Sequence, residues 1–333
     1  MRQAFEDLGC EVYSVFGNAT ERRQRLNLLK GRISDYSLLY SENSTLPLRL
    51  VEPSHLPLYP SPDYALFRTV AAKGLPVGVF YRDFHWRRPG FARQIGLLKY
   101  GLAYPFYCSE VSLYLETTRT VFVPSLRTAA MLPRLPRDRI RELPPGGEIQ
   151  DLATNPGEQP LKVVYVGNAL PPVYDLRPLL QIMHDLQNSP IRLRLTVPDE
   201  ARLALRQTRS FPPNTEFKAA SGEGIAEAYA GQDLAIVFLV SQYAGDTVSL
   251  KLFEAVGYGL PVIALKGTRC GELVEQERLG WCVEIHELPE LLRHLTAHRK
   301  DVGEKREQVL RRRERHSWQA RARQAIECLL EGR

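Results

Sequence analysis

Residues 241–265, Ser-Gln-Tyr-Ala-Gly-Asp-Thr-Val-Ser-Leu-Lys-Leu-Phe-Glu-Ala-Val-Gly-Tyr-Gly-Leu-Pro-Val-Ile-Ala-Leu, constrain the fold more than any other stretch. A polar loop runs into apolar residues at helical spacing (Val248, Leu252, Phe253, Val256), Gly257 and Gly259 stop the helix, and Pro261 precedes a short apolar strand, Val262–Leu265. An uninterrupted apolar strand after a helix is covered on both faces, which places this unit in an open parallel sheet.

The chemistry of the stretch sits at the front of its helix. Ser249, Leu250 and Lys251 present first-turn N–H groups, which favour an anion, and Lys251 adds a positive charge, so a phosphate can be held there without a metal. One turn on, Glu254 stands at the depth where acidic residues of nucleotide-binding sheets accept hydrogen bonds from a ribose diol. Asp246 lies eight residues earlier, so two carboxylates flank the phosphate site.

Upstream, Leu161–Asn168 reads as a buried strand entering a glycine turn and a Pro171-Pro172 loop. Strand Ile191–Val197, helix Asp199–Arg209, strand Glu216–Ala219, helix Gly224–Tyr229 and strand Leu234–Val240 follow in alternation, the pattern of a doubly wound parallel sheet. The first part of the chain is organised in the same way but less regularly. A helix over residues 1–9 is stopped by Gly9, Glu11–Phe16 reads as a strand, a polar helix covers 19–31, and Tyr36–Tyr40 is a strand ending in Ser41-Glu42-Asn43-Ser44. Pro47, Pro53, Pro57, Pro60 and Pro62 make the next stretch an extended loop. Asp63–Lys73 is a helix, Leu75–Phe80 a strand, residues 90–116 a long helix kinked at Pro105, and Thr120–Pro124 a strand followed by a helix capped by Ser125. A Rossmann-like domain normally opens with a central strand rather than a helix, so this reading expects a first domain lacking its opening strand and a slot in its sheet. A polar linker, 148–160, divides a first domain, 1–147, from a second, 161–315, with 316–333 as a terminal helix.

The spacing Asp246-x7-Glu254 followed by Gly-Tyr-Gly-Leu-Pro-Val-Ile resembles the Glu-x7-Glu region of GT-B-fold glycosyltransferases, in particular the retaining family four, or group 1. Ile140-Arg-Glu-Leu-Pro-Pro-Gly-Gly147, Gly271-Glu272 and the His316-Ser-Trp318 tail resemble later landmarks of the same family. The resemblance implies two Rossmann-like domains facing a cleft, with the last helix crossing back to the first. It further implies that Glu254 holds the donor ribose, Asp246 faces the sugar, Gly167 approaches the diphosphate, and Phe217 and Lys218 hold the base. Where the family has an arginine after the glycine and a lysine further on, this chain has Asn168 and, near Tyr174, Arg177, leaving diphosphate neutralisation to Lys251 and Arg177. The implied activity is hexosyl transfer from a nucleoside diphosphate sugar, UDP-linked by preference, to a glycan or lipid-linked acceptor with retention. A UDP-sugar 2-epimerase and a non-catalytic nucleotide- or nucleic-acid-binding protein are the alternatives.

In the first domain, His85 and Asp83 lie just past a strand end and are candidates for handling an acceptor proton, with Glu42 on the same edge. Trp86 to Tyr107 mixes cations with aromatic residues, a composition suited to an anionic membrane surface. The formal charge of +6 concentrates in the tail, where Lys and Arg alternate with Glu, so it is not read as a nucleic-acid footprint. No Asp-x-Asp follows a strand, no His, Cys or Glu cluster has metal spacing, and no Gly-x-Gly-x-x-Gly appears, so neither a metal nor a dinucleotide cofactor is expected. Five scattered cysteines argue against a disulfide framework, and a charged N-terminus with no long apolar run points to a cytoplasmic protein, peripheral to the membrane at most.

Overall fold

The computed structural model describes residues 1–132, 134–152, 159–169, 174–208, 211–218, 224–240 and 245–331. The chain divides into two compact units, one of Met1–Pro144 with Arg321–Arg333, the other of Pro145–Ala320.

The first unit contains α1 (Arg2–Asp7), α2 (Ala19–Leu29), β1 (Leu39–Glu42), α3 (Pro62–Ala72), β2 (Val77–Phe80), α4 (Phe91–Ile95), α5 (Leu97–Thr117), β3 (Thr120–Val123) and β4 (Ile140–Glu142). Its four strands are parallel in the order β1-β2-β3-β4, with Val77, Val79, Val121 and Val123 buried beneath Tyr114, Phe67 and Val70 of the covering helices. Apolar strand cores of four residues are short, and aromatic side chains supply the missing area: Tyr81 stacks on Phe84 at 4.7 Å and Trp86 on Tyr107 at 4.9 Å. Three expectations change here. Glu11–Phe16 is not a strand, although Tyr13 and Val15 pack against the core. Without it, β1 forms the edge of the sheet, bordered by a groove of about 380 Å³ lined by Phe5, Val12, Tyr13, Tyr40, Ile326 and Leu330. The long helix is two helices, because Gly96 at φ 93° lies in a region only glycine enters easily, whereas Pro105 sits inside α5 without ending it. The Ser125 hydroxyl accepts the Arg127 N–H and caps a 3-10 turn, not an α-helix.

The second unit contains β5 (Leu161–Val166), α6 (Arg177–Asp185), β6 (Ile191–Thr196), α7 (Asp199–Thr208), β7 (Thr215–Phe217), α8 (Ile225–Tyr229), β8 (Leu234–Val237), α9 (Leu250–Gly257), β9 (Val262–Leu265), α10 (Arg269–Gln276), β10 (Gly280–Val283), α11 (Leu288–Ala297) and α12 (Arg299–Arg312). A final helix, α13 (Trp318–Leu330), passes from this unit into the first, where its Leu329 lies against Gly78. The six strands run parallel in the order β10-β9-β8-β5-β6-β7. The chain starts in the centre at β5, winds out through β6 and β7, then returns to the other side of β5 at β8. That reversal opens a crevice beyond the carboxyl ends of β5 and β8, where open α/β sheets bind ligands. Both faces are covered, and Leu252, Phe253 and Val256 of α9 are buried against β8 and β9, each contributing roughly 1.5–3 kcal/mol of apolar transfer. A buried ion pair, Arg299 Nη2 to Asp233 Oδ1 at 2.7 Å, fixes the start of α12, and the other Asp233 oxygen accepts the Lys162 N–H at 2.7 Å.

Candidate functional site

The crevice at the β5/β8 reversal is built by two segments. After β5 the chain turns at Gly167, whose φ of 138° and lack of a side chain are both required: a Cβ there would stand 1.6 Å from Lys251 Cε and 2.3 Å from Nζ. After β8 the chain enters α9, whose first turn carries Lys251. The lysine side chain therefore lies in the groove that the glycine leaves open, with its ammonium 4.7 Å from the centre of the Tyr174 ring. Burial pulls the Lys251 pKa down, partly offset by Glu254 and Cys270. A cation so stripped of water gains most from an anion arriving beside it.

One turn further, the Glu254 carboxylate is half-buried and accepts the Tyr229 hydroxyl at 3.4 Å. Burial raises its pKa, while Lys251 and the Tyr229 hydrogen bond act in the opposite direction. Glu254 thus presents acceptors, and Lys251 a donor, one turn apart on the same helix. The N-terminus of α9 is only partly open. Ser249, the residue before the helix, donates its N–H to Cys270 Sγ at 3.3 Å, so that amide does not face a ligand; the N–H groups of Leu250 and Lys251 have no partner among the described residues. Cys270 also donates its thiol to the Thr247 carbonyl at 3.6 Å, and burial pushes that thiol up to about 11.

The other residues read from the sequence fall as follows. Asp246 is half-buried in the loop before α9 and forms no ion pair among the described residues. The Asn168 side chain folds back onto the Ala169 N–H at 2.7 Å. Arg177 is held in a fork by Asp175, at 2.8 and 2.6 Å, so its charge is neutralised within its own loop and Lys251 is the cation directed at Gly167. Phe217 ends β7, its ring against Phe211 at 4.4 Å, and the Lys218 N–H is bonded to the Leu195 carbonyl at 3.0 Å, leaving it no amide donor for a base. Glu272 pairs with Arg269 at 3.2 Å behind a Thr268 side-chain cap. The Pro171-Pro172 turn and the loop 241–244 lie outside the described residues. Tyr229, Tyr174 and Cys270, which shape the site, carry no motif in the sequence; only the fold brings them to α9.

In the first unit, the expected candidates converge at the carboxyl ends of β1 and β2. His85 Nδ1 stands 3.2 Å from Asp83 Oδ2 and its Nε2 3.3 Å from the Tyr107 hydroxyl, so one ring nitrogen faces a carboxylate and the other a phenol. Burial raises the Asp83 pKa, but the His85 side chain, Arg88 and the His85 N–H outweigh it and hold the carboxyl below its ordinary range. Glu42 pairs with Arg82 at 3.3 Å. Of the aromatic residues assigned to a membrane-facing stretch, Trp86 and Tyr107 are buried and Tyr104 is 39% exposed; the most exposed apolar residues are leucines, with Leu97 72%, Leu98 79% and Leu102 66% exposed. No group of His, Cys, Asp and Glu among the described residues is placed to hold a metal ion.

Residues 160–300 match a family model described as "Glycosyl transferases group 1". Among solved structures, Anabaena Alr3699/HepE in complex with UDP-glucose is similar at 14% identity and TM-score 0.59, over 98% of this chain and 88% of that one. WaaG, a glycosyltransferase of lipopolysaccharide biosynthesis, is similar at 14% identity and TM-score 0.58, over 96% of this chain and 99% of that one. TarM is similar at 12% identity and TM-score 0.53, over 80% of this chain, which spans only 52% of TarM. No curated protein sequence matches. The fold is GT-B, and residues 160–300 carry the likeness to group 1 glycosyl transferases.

Proposed function

We propose that the second unit binds a UDP-sugar and that the enzyme transfers its sugar, with retention and without a metal, to a glycan or lipid-linked acceptor handled by the first unit. The observation that carries this is the Lys251 side chain lying in the groove left by Gly167, one turn ahead of Glu254, at the point where the strand order reverses. In this reading the diphosphate sits between the Lys251 ammonium and the first-turn N–H groups of Leu250 and Lys251, and the ribose diol donates to Glu254. As the glycosidic bond breaks, negative charge grows on the departing phosphate oxygen. A fixed ammonium and oriented amides stabilise that charge without rearranging, which a metal would otherwise do. Asp246, near the helix start, faces the sugar. That HepE holds UDP-glucose in a related fold supports a uridine donor.

On the acceptor side, Asp83 keeps its charge and orients His85, whose Nε2 must leave Tyr107 to take a hydroxyl proton. The exposed Leu97, Leu98 and Leu102, beside Arg93 and Lys99, give α4 and α5 an apolar and cationic face suited to an anionic bilayer. This favours a polysaccharide or glycolipid built at a membrane surface. No helix among the described residues is long and apolar enough to cross one.

The test is calorimetric titration of UDP, GDP and ADP into wild type and Glu254→Ala. UDP should bind wild type best, and the variant should lose roughly tenfold or more, the worth of hydrogen bonds to a charged group. Undiminished affinity in the variant refutes the role of Glu254. Flotation with phosphatidylglycerol vesicles, lost in a Leu97→Ser, Leu98→Ser double variant, tests the membrane face.

A further inference from the structure

The first unit contains a carboxylate that the reading above does not use. Glu110, in the middle of α5, is 1% exposed, yet no cation lies within ion-pair distance of it among the described residues. Its Oε2 accepts the Leu48 N–H at 2.6 Å, in the proline-rich loop after β1. The side chain of Asn43, at the head of that loop, also faces the carboxylate. The Asn43 oxygen in turn accepts the Arg82 N–H at 2.7 Å, in the segment after β2. One turn earlier on α5, Tyr107 makes a parallel bridge: its hydroxyl donates to the Thr45 carbonyl at 3.3 Å and lies 3.3 Å from His85 Nε2. Two side chains of one helix thus hold both loops at the carboxyl edge of the sheet.

We propose that Glu110 is a positioning residue for the acceptor edge: it holds the loop after β1 at Leu48 and, through Asn43, the segment after β2 that carries Asp83 and His85. The functional part of this rests on the acceptor role given to that segment, whereas the structural part does not. A buried carboxylate is the strongest neutral-backbone acceptor the chain can supply, so the hold depends on its charge. The groups around it are Tyr114 and Tyr107 on α5, Tyr64 and Asp63 on α3, and Tyr81 after β2; Asp63 is itself paired with Arg22 at 3.3 Å. With no cation among them, burial raises the Glu110 carboxyl to about 7, against which the Leu48 N–H, Tyr114 and Asn43 pull down. The Leu48 N–H and Asn43 pull the pKa down, so while Glu110 stays buried on α5 they grip its charged form more tightly than its neutral one, although burying that charge costs the unit as a whole.

The test is hydrogen–deuterium exchange of the nucleotide-free protein at pH 6 and 8.5, corrected for intrinsic exchange. In wild type, protection of residues 43–50 should rise about tenfold with pH, the difference between a charged and a neutral acceptor. Glu110→Gln should be weakly protected and flat. Asn43→Ala should lose protection at 82–86 while keeping the pH response around Leu48, which a generally loosened unit would not do. A wild-type loop indifferent to pH, or the same response in Glu110→Gln, overturns the proposal, and the Asn43→Ala arm decides it if Glu110→Gln does not fold. None of these readouts needs UDP. Loss of UDP affinity in Glu254→Ala and loop behaviour in Glu110→Gln therefore fail or succeed separately.

Discussion

Replacing Gly167 by alanine separates the proposed donor site from the fold around it. The new methyl would stand 1.6 Å from Lys251 Cε, but the obstructed atoms are the end of a flexible side chain, so the lysine swings away and the backbone does not collapse. The structural cost is then the strain of a non-glycine residue at φ 138°, about 1–3 kcal/mol, or a melting temperature lower by a few degrees. The functional cost is larger. An ammonium that no longer meets the diphosphate loses a charge-assisted hydrogen bond worth about 1.5–3 kcal/mol, roughly 10- to 150-fold in UDP affinity. Uridine has no phosphate and should lose little. Calorimetry with UDP and uridine on wild type, Gly167→Ala, Lys251→Ala and the double variant measures this directly. Because both changes remove the same contact, the double variant should be no weaker than Lys251→Ala. Unchanged UDP affinity in Gly167→Ala, an equal loss for uridine, or additive losses would each refute the assigned geometry.

Three other outcomes follow from the packing. With its folded pKa raised from 4.5 to about 7, Glu110 contributes stability that is complete below pH 4.5 and lost as pH rises through 7. The loss is on the order of 3 kcal/mol, and chemical denaturation across that range should show it in wild type but not in Glu110→Gln. Asp233→Ala strands the buried Arg299 guanidinium and the Lys162 N–H, and should cost about 3–5 kcal/mol in urea unfolding. Gly280→Ala places a methyl 1.8 Å from the Val262 carbonyl, a backbone atom that cannot step aside, so the variant should yield little folded protein where Gly303→Ala, with open space around it, behaves as wild type.

The second unit was legible because its signals are local. Val262–Leu265 and Leu161–Val166 are apolar runs bounded by Gly and Pro, a local signature of buried strands. The first unit was less so. Glu11–Phe16 has strand composition, yet a strand needs a partner edge, and pairing lies outside local sequence. The break at Gly96 and continuity through Pro105 reversed the usual weight of the two residues, because a glycine in positive φ ends α4 whereas a proline's lost hydrogen bond is tolerated within a long helix. In the site, Lys251 and Glu254 were singled out by their places in the helix, and Gly167 by the resemblance. Nothing in the sequence showed that Asp175 would occupy Arg177, that Tyr229 would support Glu254, or that Glu110 would be buried, since each depends on contacts 2 to 62 residues apart.

The Cys270 thiol gives α9 a chemical clock. With its pKa pushed up to about 11 and the sulfur engaged by Ser249 and Thr247, it is silent to thiol reagents at neutral pH while the start of α9 stays in place. An opening of the helix start that frees the Ser249 amide and uncovers the sulfur would make the thiol reactive. The rate of alkylation at Cys270, with and without UDP, therefore counts how often the helix start opens.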